Sequence, residues 1–230
     1  MAVQKEARVA HLVDLSGTTR ILELEPAEPL DFVGGQYLIV NSGIVLPDGK
    51  LAKRAYTILS SDARQERVVM AVRRLDGPGS AWMCTRTVGD QLPFSGPWGK
   101  FLADDATPRR TLVLATDTGI TAALGLIAGR AFEPQRAHAT LVWLVEDGYF
   151  LSDAFVGAAL CSGVTYRRHP LPRVGHPERL GEAQRIAGSL GGFDRVFLAG
   201  DGAVVHPLRE QLFPAARVEC YFNNPGKKSA

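Results

Sequence analysis

Hydrophobic positions follow two different rhythms along the chain. Up to about residue 104 they alternate with polar ones in short runs, at 8–14, 19–24, 36–40, 54–59 and 67–73, and Gly, Pro, Asp or Ser separates each run from the next. Such alternation, with β-branched and aromatic residues, predicts strands buried on one face. Several short strands at this spacing predict an antiparallel barrel or sandwich. The segment 41–53, which contains Pro47-Asp48-Gly49, reads as a loop between two of them.

After Thr107-Pro108-Arg109-Arg110 the rhythm changes. Strand-like runs at 111–115, 139–145, 164–168, 195–199 and 217–222 alternate with helical segments at 119–131, 149–160, 178–190 and 204–213. Strand and helix in turn predict a doubly wound parallel sheet. The chain therefore reads as two domains. An antiparallel β-barrel covers residues 1–104, and an α/β doubly wound sheet covers residues 105–230. No repeat or low-complexity segment interrupts them.

Composition changes this picture little. With 46% apolar and 22% charged residues the chain can bury an ordinary core. A net charge of +2 argues against nucleic acid or an anionic membrane surface as partner, and Lys227 and Lys228 read as a solvated tail. The first 15 residues lack the apolar core of a signal peptide, and no apolar run approaches the ~20 residues of a spanning helix. The three cysteines, Cys84, Cys161 and Cys220, lie far apart without a C-x-x-C pair, which argues against a cluster held by four cysteines of this chain. They are expected to be small buried hydrophobes in a reducing cytoplasm. The five histidines show no H-E-x-x-H spacing, and neither a P-loop nor a Gly-x-Ser-x-Gly elbow is present. No metal site is expected, and hydrolase and NTPase chemistry find no support.

The candidate chemistry lies in two short strings. Arg54-Ala55-Tyr56-Thr57 supplies a cation, an aromatic ring and a hydroxyl on one predicted strand, where Arg54 and Tyr56 share a face and Thr57 looks the other way. Gly77-Pro78-Gly79-Ser80 is a glycine-opened turn running into a helix start. A cation and a helix N-terminus are two devices for holding a pyrophosphate, and the aromatic and hydroxyl suit a flat ring. Together they point to a flavin dinucleotide, FAD.

Four ordered motifs make the chain resemble the ferredoxin–NADP reductase superfamily over nearly its whole length. Phe32-Val33-Gly34-Gly35-Gln36-Tyr37 matches its F-x-x-G-Q-[YF] strand, and Arg54-Ala55-Tyr56-Thr57 its R-x-Y-[ST] flavin motif. Gly77-Pro78-Gly79-Ser80 matches its G-x-x-S helix start, and Gly96-Pro97-Trp98-Gly99-Lys100-Phe101 its G-P-x-G-x-F stretch closing the barrel. The resemblance implies that Arg54 and Ser80 hold the FAD pyrophosphate, Tyr56 stacks on the isoalloxazine, and Thr57 sits near N5, the atom that accepts hydride. Glu219-Cys220-Tyr221-Phe222 resembles the acidic–aromatic ending of the family, in which an aromatic covers the far flavin face. On that basis Thr57, Glu219 and Tyr221 are the candidate catalytic residues.

The second half departs from the family. Thr116-Asp117-Thr118-Gly119 occupies the first strand-to-helix turn, where the coenzyme phosphate would rest, yet it keeps one glycine and adds a carboxylate at Asp117. Thr121, Ala199 and Asp201 also differ from the family's residues on the nicotinamide side. Coenzyme cues oppose each other. Glu146-Asp147 suits a ribose 2′-hydroxyl, whereas Tyr166-Arg167-Arg168 lies near the family's 2′-phosphate arginine, and the balance tilts towards NADH.

Three readings stay open. The leading one is a flavoprotein oxidoreductase taking hydride from NAD(P)H and passing single electrons to a separate protein, such as a ferredoxin, a flavodoxin or an oxygenase component. The second is an accessory electron-transfer flavoprotein without a nicotinamide site of its own. The third is a module that keeps the scaffold and binds no flavin.

Overall fold

The computed structural model describes residues 3–103 and 107–223; the expected junction at 104–105 and the Lys227 and Lys228 tail lie outside the described residues. The first half forms β1 (Lys5–Ser16), β2 (Thr19–Pro26), β3 (Tyr37–Val45), β4 (Leu51–Thr57), β5 (Val68–Arg73) and β6 (Gln91–Trp98), with a short helix α1 (Pro78–Cys84) before β6. These strands make one antiparallel sheet in the order β4-β3-β6-β1-β2-β5. The period-2 pattern is met on its inner face: Leu22 and Leu24, Val68, Met70 and Val72, and Leu92 and Phe94 are all almost fully buried in one core.

The expected barrel is barrel-like and does not close. Its edge strands β4 and β5 form no ladder with each other, and the sheet curls until Leu59 N–H donates to the Val69 carbonyl at 2.7 Å. Two expectations need correction here. Strands β3 and β4 extend into the segment expected as a loop at 41–53, leaving only a tip at 46–50, where Leu46 N–H donates to the Lys50 carbonyl at 2.7 Å. Strand β6 was not among the predicted strands, because Pro93 and Pro97 break the run that Leu92 and Phe94 carry inward.

The second half forms β7 (Thr111–Thr116), β8 (Ala139–Val145), β9 (Thr165–Pro170), β10 (Arg195–Asp201) and β11 (Arg217–Phe222), with α2 (Ile120–Ala128), α3 (Asp153–Ala159), α4 (Arg179–Gly188) and α5 (Gly202–Gln211). All five strands are parallel, in the order β11-β10-β7-β8-β9. The chain reverses its direction of winding between β7 and β10, the switch point at which open α/β sheets bind ligands. Helix α2 is shorter than expected, because Gly129 turns extended and a 3-10 segment, Arg130–His138, follows. Helix α3 starts only after a turn in which Gly148 and Phe150 have positive φ (71° and 66°), and Ser152 caps it by accepting from Phe155 N–H at 3.1 Å.

Glycines let the two halves meet backbone to backbone. A Cβ on Gly125 of α2 would lie 2.2 Å from the Ile58 carbonyl oxygen, and one on Gly34 would lie 2.5 Å from the Gly129 Cα. The buried carboxylate of Asp62 ties the same interface, accepting from Gly34 N–H at 3.1 Å and from Arg130 N–H at 2.8 Å. This seam sets the N-terminus of α2 against the end of β4.

Candidate functional site

Strand β4 ends at Thr57 where α2 begins to pack on the first sheet, and β11 brings its last residues to the same place. A cavity of about 480 Å³ lies between them, walled by both halves. All four residues of Arg54-Ala55-Tyr56-Thr57 line it, so the strand end does not send Thr57 away from its neighbours. Ser80, Thr118, Tyr221 and Phe222 complete the expected residues that reach this wall.

At one end Arg54 leans across the glycine turn. A Cβ on Gly77 would lie 3.0 Å from Arg54 Nη2, and one on Gly79 would lie 3.0 Å from Arg54 Cγ. Both glycines thus leave close-fitting room for the side chain to cross the start of α1. Ser80 is the third residue of that helix, and its hydroxyl closes the turn: Oγ accepts from Leu75 N–H at 3.1 Å and can donate to the carbonyl of Leu75 (3.0 Å) or of Gly77 (3.1 Å). Its side chain therefore shapes the turn on which Arg54 rests.

Tyr56 is buried, and burial pushes its ionisation well above the ordinary phenol range. Its hydroxyl has no hydrogen-bond partner among the described residues. An orphaned buried hydroxyl costs about 1–3 kcal/mol. Tyr56 itself lines the cavity, between the Arg54 cation at one end and the rings at the other, a setting that fits a bound group with both polar and aromatic parts.

Thr57, 3% exposed, carries the other half of the wall. Its Oγ1 lies 2.7 Å from the Tyr221 hydroxyl of β11 and 3.4 Å from Thr121 Oγ1 of α2. Burial raises the Tyr221 phenol, so it stays protonated. Across the cavity Arg73 of β5 stands over the Tyr149 ring, with Cζ 3.6 Å from its centroid, a cation–π contact between the halves. Arg73, Tyr149 and Phe150 also line the cavity, and no motif in the sequence marked them. The positive φ of Phe150 marks the site afterwards, since bulky residues seldom adopt that conformation.

The remaining expected residues lie elsewhere. Glu219 is half-buried on β11, level with Ala199 of β10, and does not line the cavity. Thr116 is buried, with Oγ1 accepting from Asp201 N–H at 2.8 Å. Gly119 packs on β10, where a Cβ would lie 2.4 Å from the Ala199 carbonyl oxygen. Asp117 takes a left-handed backbone (φ 51°) and turns its carboxylate inward onto Arg179 Nη2.

Arg179 also reaches Asp201, with Nε 3.2 Å from Oδ2, and no member of this cluster is more than 4% exposed. Asp201 caps α5 through Ala203 N–H (3.0 Å) and accepts from Asn223 Nδ2 (3.0 Å). Burial outweighs the Arg179 charge and, helped by Asp201, pushes the Asp117 carboxyl up to about 6. Asp117 and Asp201 stand at the carboxyl ends of β7 and β10, so Arg179 fills the switch point. At the start of α2 only Thr118 is partly exposed; Asp117, Gly119 and Ile120 are buried.

A second, shallower cavity of about 820 Å³ opens at the ends of β8 and β9, lined by Glu146, Asp147, Glu178, Glu182, Arg173 and Arg185 among others. Here Arg168 is ion-paired with Asp147 (2.9 Å) and Asp153 (3.8 Å), and Arg185 with Glu182. Cys84, Cys161 and Cys220 are half-buried, less enclosed than expected, and Cys220 Sγ lies 3.5 Å from His206 Nε2. Among the described residues no group of three or more His, Cys, Asp or Glu could hold a metal ion, and no helix is long and apolar enough to cross a membrane.

Comparison with known proteins agrees with this layout. Residues 6–102 match the oxidoreductase FAD-binding domain family. The chain is 32% identical over 151 residues to ferredoxin–NADP reductase B of Sorangium cellulosum, covering 64% of this chain and 59% of that protein. It is 30% identical over 121 residues to the reductase component DmpP of phenol 2-monooxygenase from Pseudomonas sp. strain CF600, covering 52% of this chain and 33% of that protein. The chain thus spans only part of these relatives. Among solved structures, a siderophore-interacting protein from Acinetobacter baumannii superposes with a TM-score of 0.73 at 15% identity, over 99% of this chain and 93% of that one. Phthalate dioxygenase reductase superposes with a TM-score of 0.66 at 21% identity, over 94% of this chain and 66% of that one. The matched FAD-binding domain, followed by the parallel five-stranded sheet, gives this chain the two-part fold of these solved structures.

Proposed function

We propose that the protein is an FAD-dependent oxidoreductase that carries electrons between a nicotinamide coenzyme and a separate redox protein. One observation supports this reading above the others: the cavity between the halves joins the Arg54-over-glycine turn to the buried Tyr56 and a set of further rings. Arg54, with the backbone of the Gly77–Gly79 turn, is assigned to the pyrophosphate. Tyr56 is assigned to hydrogen-bond and pack on the ring or its ribityl chain, and Tyr221 to the opposite side. Bound FAD would supply what the side chains cannot, two-electron uptake as hydride and release of electrons singly. The protein's own part is to position the ring and to keep water from it, with Thr57 presenting a hydroxyl at the ring edge.

NADH is the proposed coenzyme. Of the two arginines near the expected 2′-phosphate position, Arg168 is already paired with Asp147 and Asp153, and acids outnumber cations around the cavity at the ends of β8 and β9. The names of the relatives, a ferredoxin–NADP reductase and a monooxygenase reductase component, favour a protein as electron acceptor.

The Arg179 cluster favours a second reading, in which the chain is an accessory flavoprotein reduced by a partner. A coenzyme pyrophosphate resting on α2 would have to displace a buried ion cluster at the switch point. Anaerobic titration of the FAD-loaded protein separates the two. Bleaching by stoichiometric NADH, with NADPH much weaker, is expected of the first reading. Bleaching by dithionite while both coenzymes fail supports the second.

A further inference from the structure

Three segments of the second half that reach the cavity are tied to one side chain. Arg179 opens α4, and its side chain is 4% exposed. Its Nη2 donates to the Asp117 carboxylate, its Nε to Asp201 Oδ2 at 3.2 Å, and its Nη1 to the Pro172 carbonyl oxygen. Each tie lies close to a residue of the cavity wall. Asp117 precedes Thr118, and its own carbonyl accepts from Trp143 Nε1 at 2.9 Å. Pro172 stands two residues before Val174, at the base of a loop in which Gly175 has a φ of 86°. Asp201 accepts through its other oxygen from Asn223 Nδ2 at 3.0 Å, and Asn223 follows Phe222. Val174 is 43% exposed, and Thr118 and Phe222 are half-buried, so packing alone holds these three loosely.

A buried ion cluster is a weak device for stabilising a fold, since apolar side chains of like volume often serve as well. A planar fork of donors suits another task, fixing several backbones at once. We infer that Arg179 is a positioning residue for the bound flavin, which holds Thr118, Val174 and Phe222 in the cavity wall through Asp117, Pro172 and Asp201. This rests on the reading that the cavity holds FAD. Arg179 does not line the cavity itself and acts only through these three segments. The switch point, where an open α/β sheet ordinarily takes its ligand, here anchors the wall of a site between the halves.

Two variants loosen that wall without removing the buried cation. Arg179→Lys keeps a charge between Asp117 and Asp201 but replaces the fork by a single ammonium, which cannot serve all three acceptors in the same geometry. Asn223→Gly removes only the bond from its amide to Asp201. Asn223 is exposed with a φ of 50°, a conformation that glycine adopts freely. Release of FAD from the loaded proteins is followed on dilution by the rise of free-flavin fluorescence. The visible circular dichroism of the bound flavin and the melting temperature of the flavin-free protein are read beside it. FAD should leave roughly two- to tenfold faster from Asn223→Gly, the range of one hydrogen bond, and at least as much faster from Arg179→Lys. The flavin circular dichroism should change in both, while flavin-free Asn223→Gly melts with wild type. Wild-type release from Asn223→Gly, or from a folded Arg179→Lys, overturns the inference while leaving FAD binding intact. A melting temperature of flavin-free Asn223→Gly that drops along with FAD retention marks merely structural damage and overturns it too. Should Arg179→Lys not fold, Asn223→Gly decides alone. Failure of the wild type to take up FAD overturns the functional reading, and the inference with it.

Discussion

Replacing Arg179 with leucine tests the ion cluster at the switch point. The change leaves Asp117 and Asp201, each 1% exposed, facing one another without their shared cation. Removing one partner of a buried pair costs about 3–5 kcal/mol, a large share of the ~5–15 kcal/mol that holds a typical domain together. pH sharpens the test. The Asp117 carboxyl is raised from 3.8 to about 6 in the folded protein, mainly by burial and against the pull of Arg179. A carboxyl raised on folding stabilises the fold as pH falls through that window and loses the benefit as pH rises through it. Without Arg179 it rises further, so the variant gains more than wild type on acidification. Urea unfolding followed by circular dichroism at about pH 7.5 and 5.5 should show the deficit of the variant shrinking by about 2 kcal/mol at the lower pH. Adding Asp117→Asn to Arg179→Leu should recover part of the loss at the higher pH. A deficit under about 1 kcal/mol, equal at both pH values, would refute the cluster as a buried ionic unit.

Other expectations are simpler to measure. Tyr56→Phe removes a buried hydroxyl that has no partner among the described residues, so thermal stability should hold or rise by about 1 kcal/mol, while FAD affinity, followed by quenching of flavin fluorescence, should fall roughly fivefold. Equal affinity for both forms would mean that the hydroxyl never meets the flavin. Gly125→Ala drives a methyl to within 2.2 Å of the Ile58 carbonyl and should cost about 2 kcal/mol or more in denaturant unfolding, since backbone on both sides must shift. Asp62→Ala strips the Gly34 and Arg130 N–H groups of their shared acceptor and should cost about 2 kcal/mol, read as faster hydrogen exchange at those two amides.

Sequence patterns carry most of this fold because they are local. Alternation in 19–24 and 67–73 located β2 and β5 nearly to the residue, and the change of rhythm after 107–110 separated the sheets. Strand β6 escaped because two prolines mask an alternation that tertiary pairing with β1 and β3 overrides. The barrel side of the site was legible, since Arg54, Tyr56 and Thr57 follow one another on a strand. The other wall was not. Tyr149 and Phe150 reach the cavity only because the second half packs on the first sheet, a contact set by Gly34, Gly125 and Gly129 over long sequence distances. Asp117 was legible as a charge in an unusual turn, but its partner Arg179 lies on a helix 62 positions away and carries no local signature.

The central claim is that the cavity between the two halves holds FAD through Arg54 and the glycine turn. Its most direct test is an equilibrium titration of flavin-free protein with FAD and with riboflavin, for wild type and Arg54→Ala. The account predicts one FAD per chain, binding at least tenfold tighter than riboflavin in wild type, with most of that advantage lost in Arg54→Ala. Equal affinity for FAD and riboflavin, or an advantage that survives in Arg54→Ala, would contradict it.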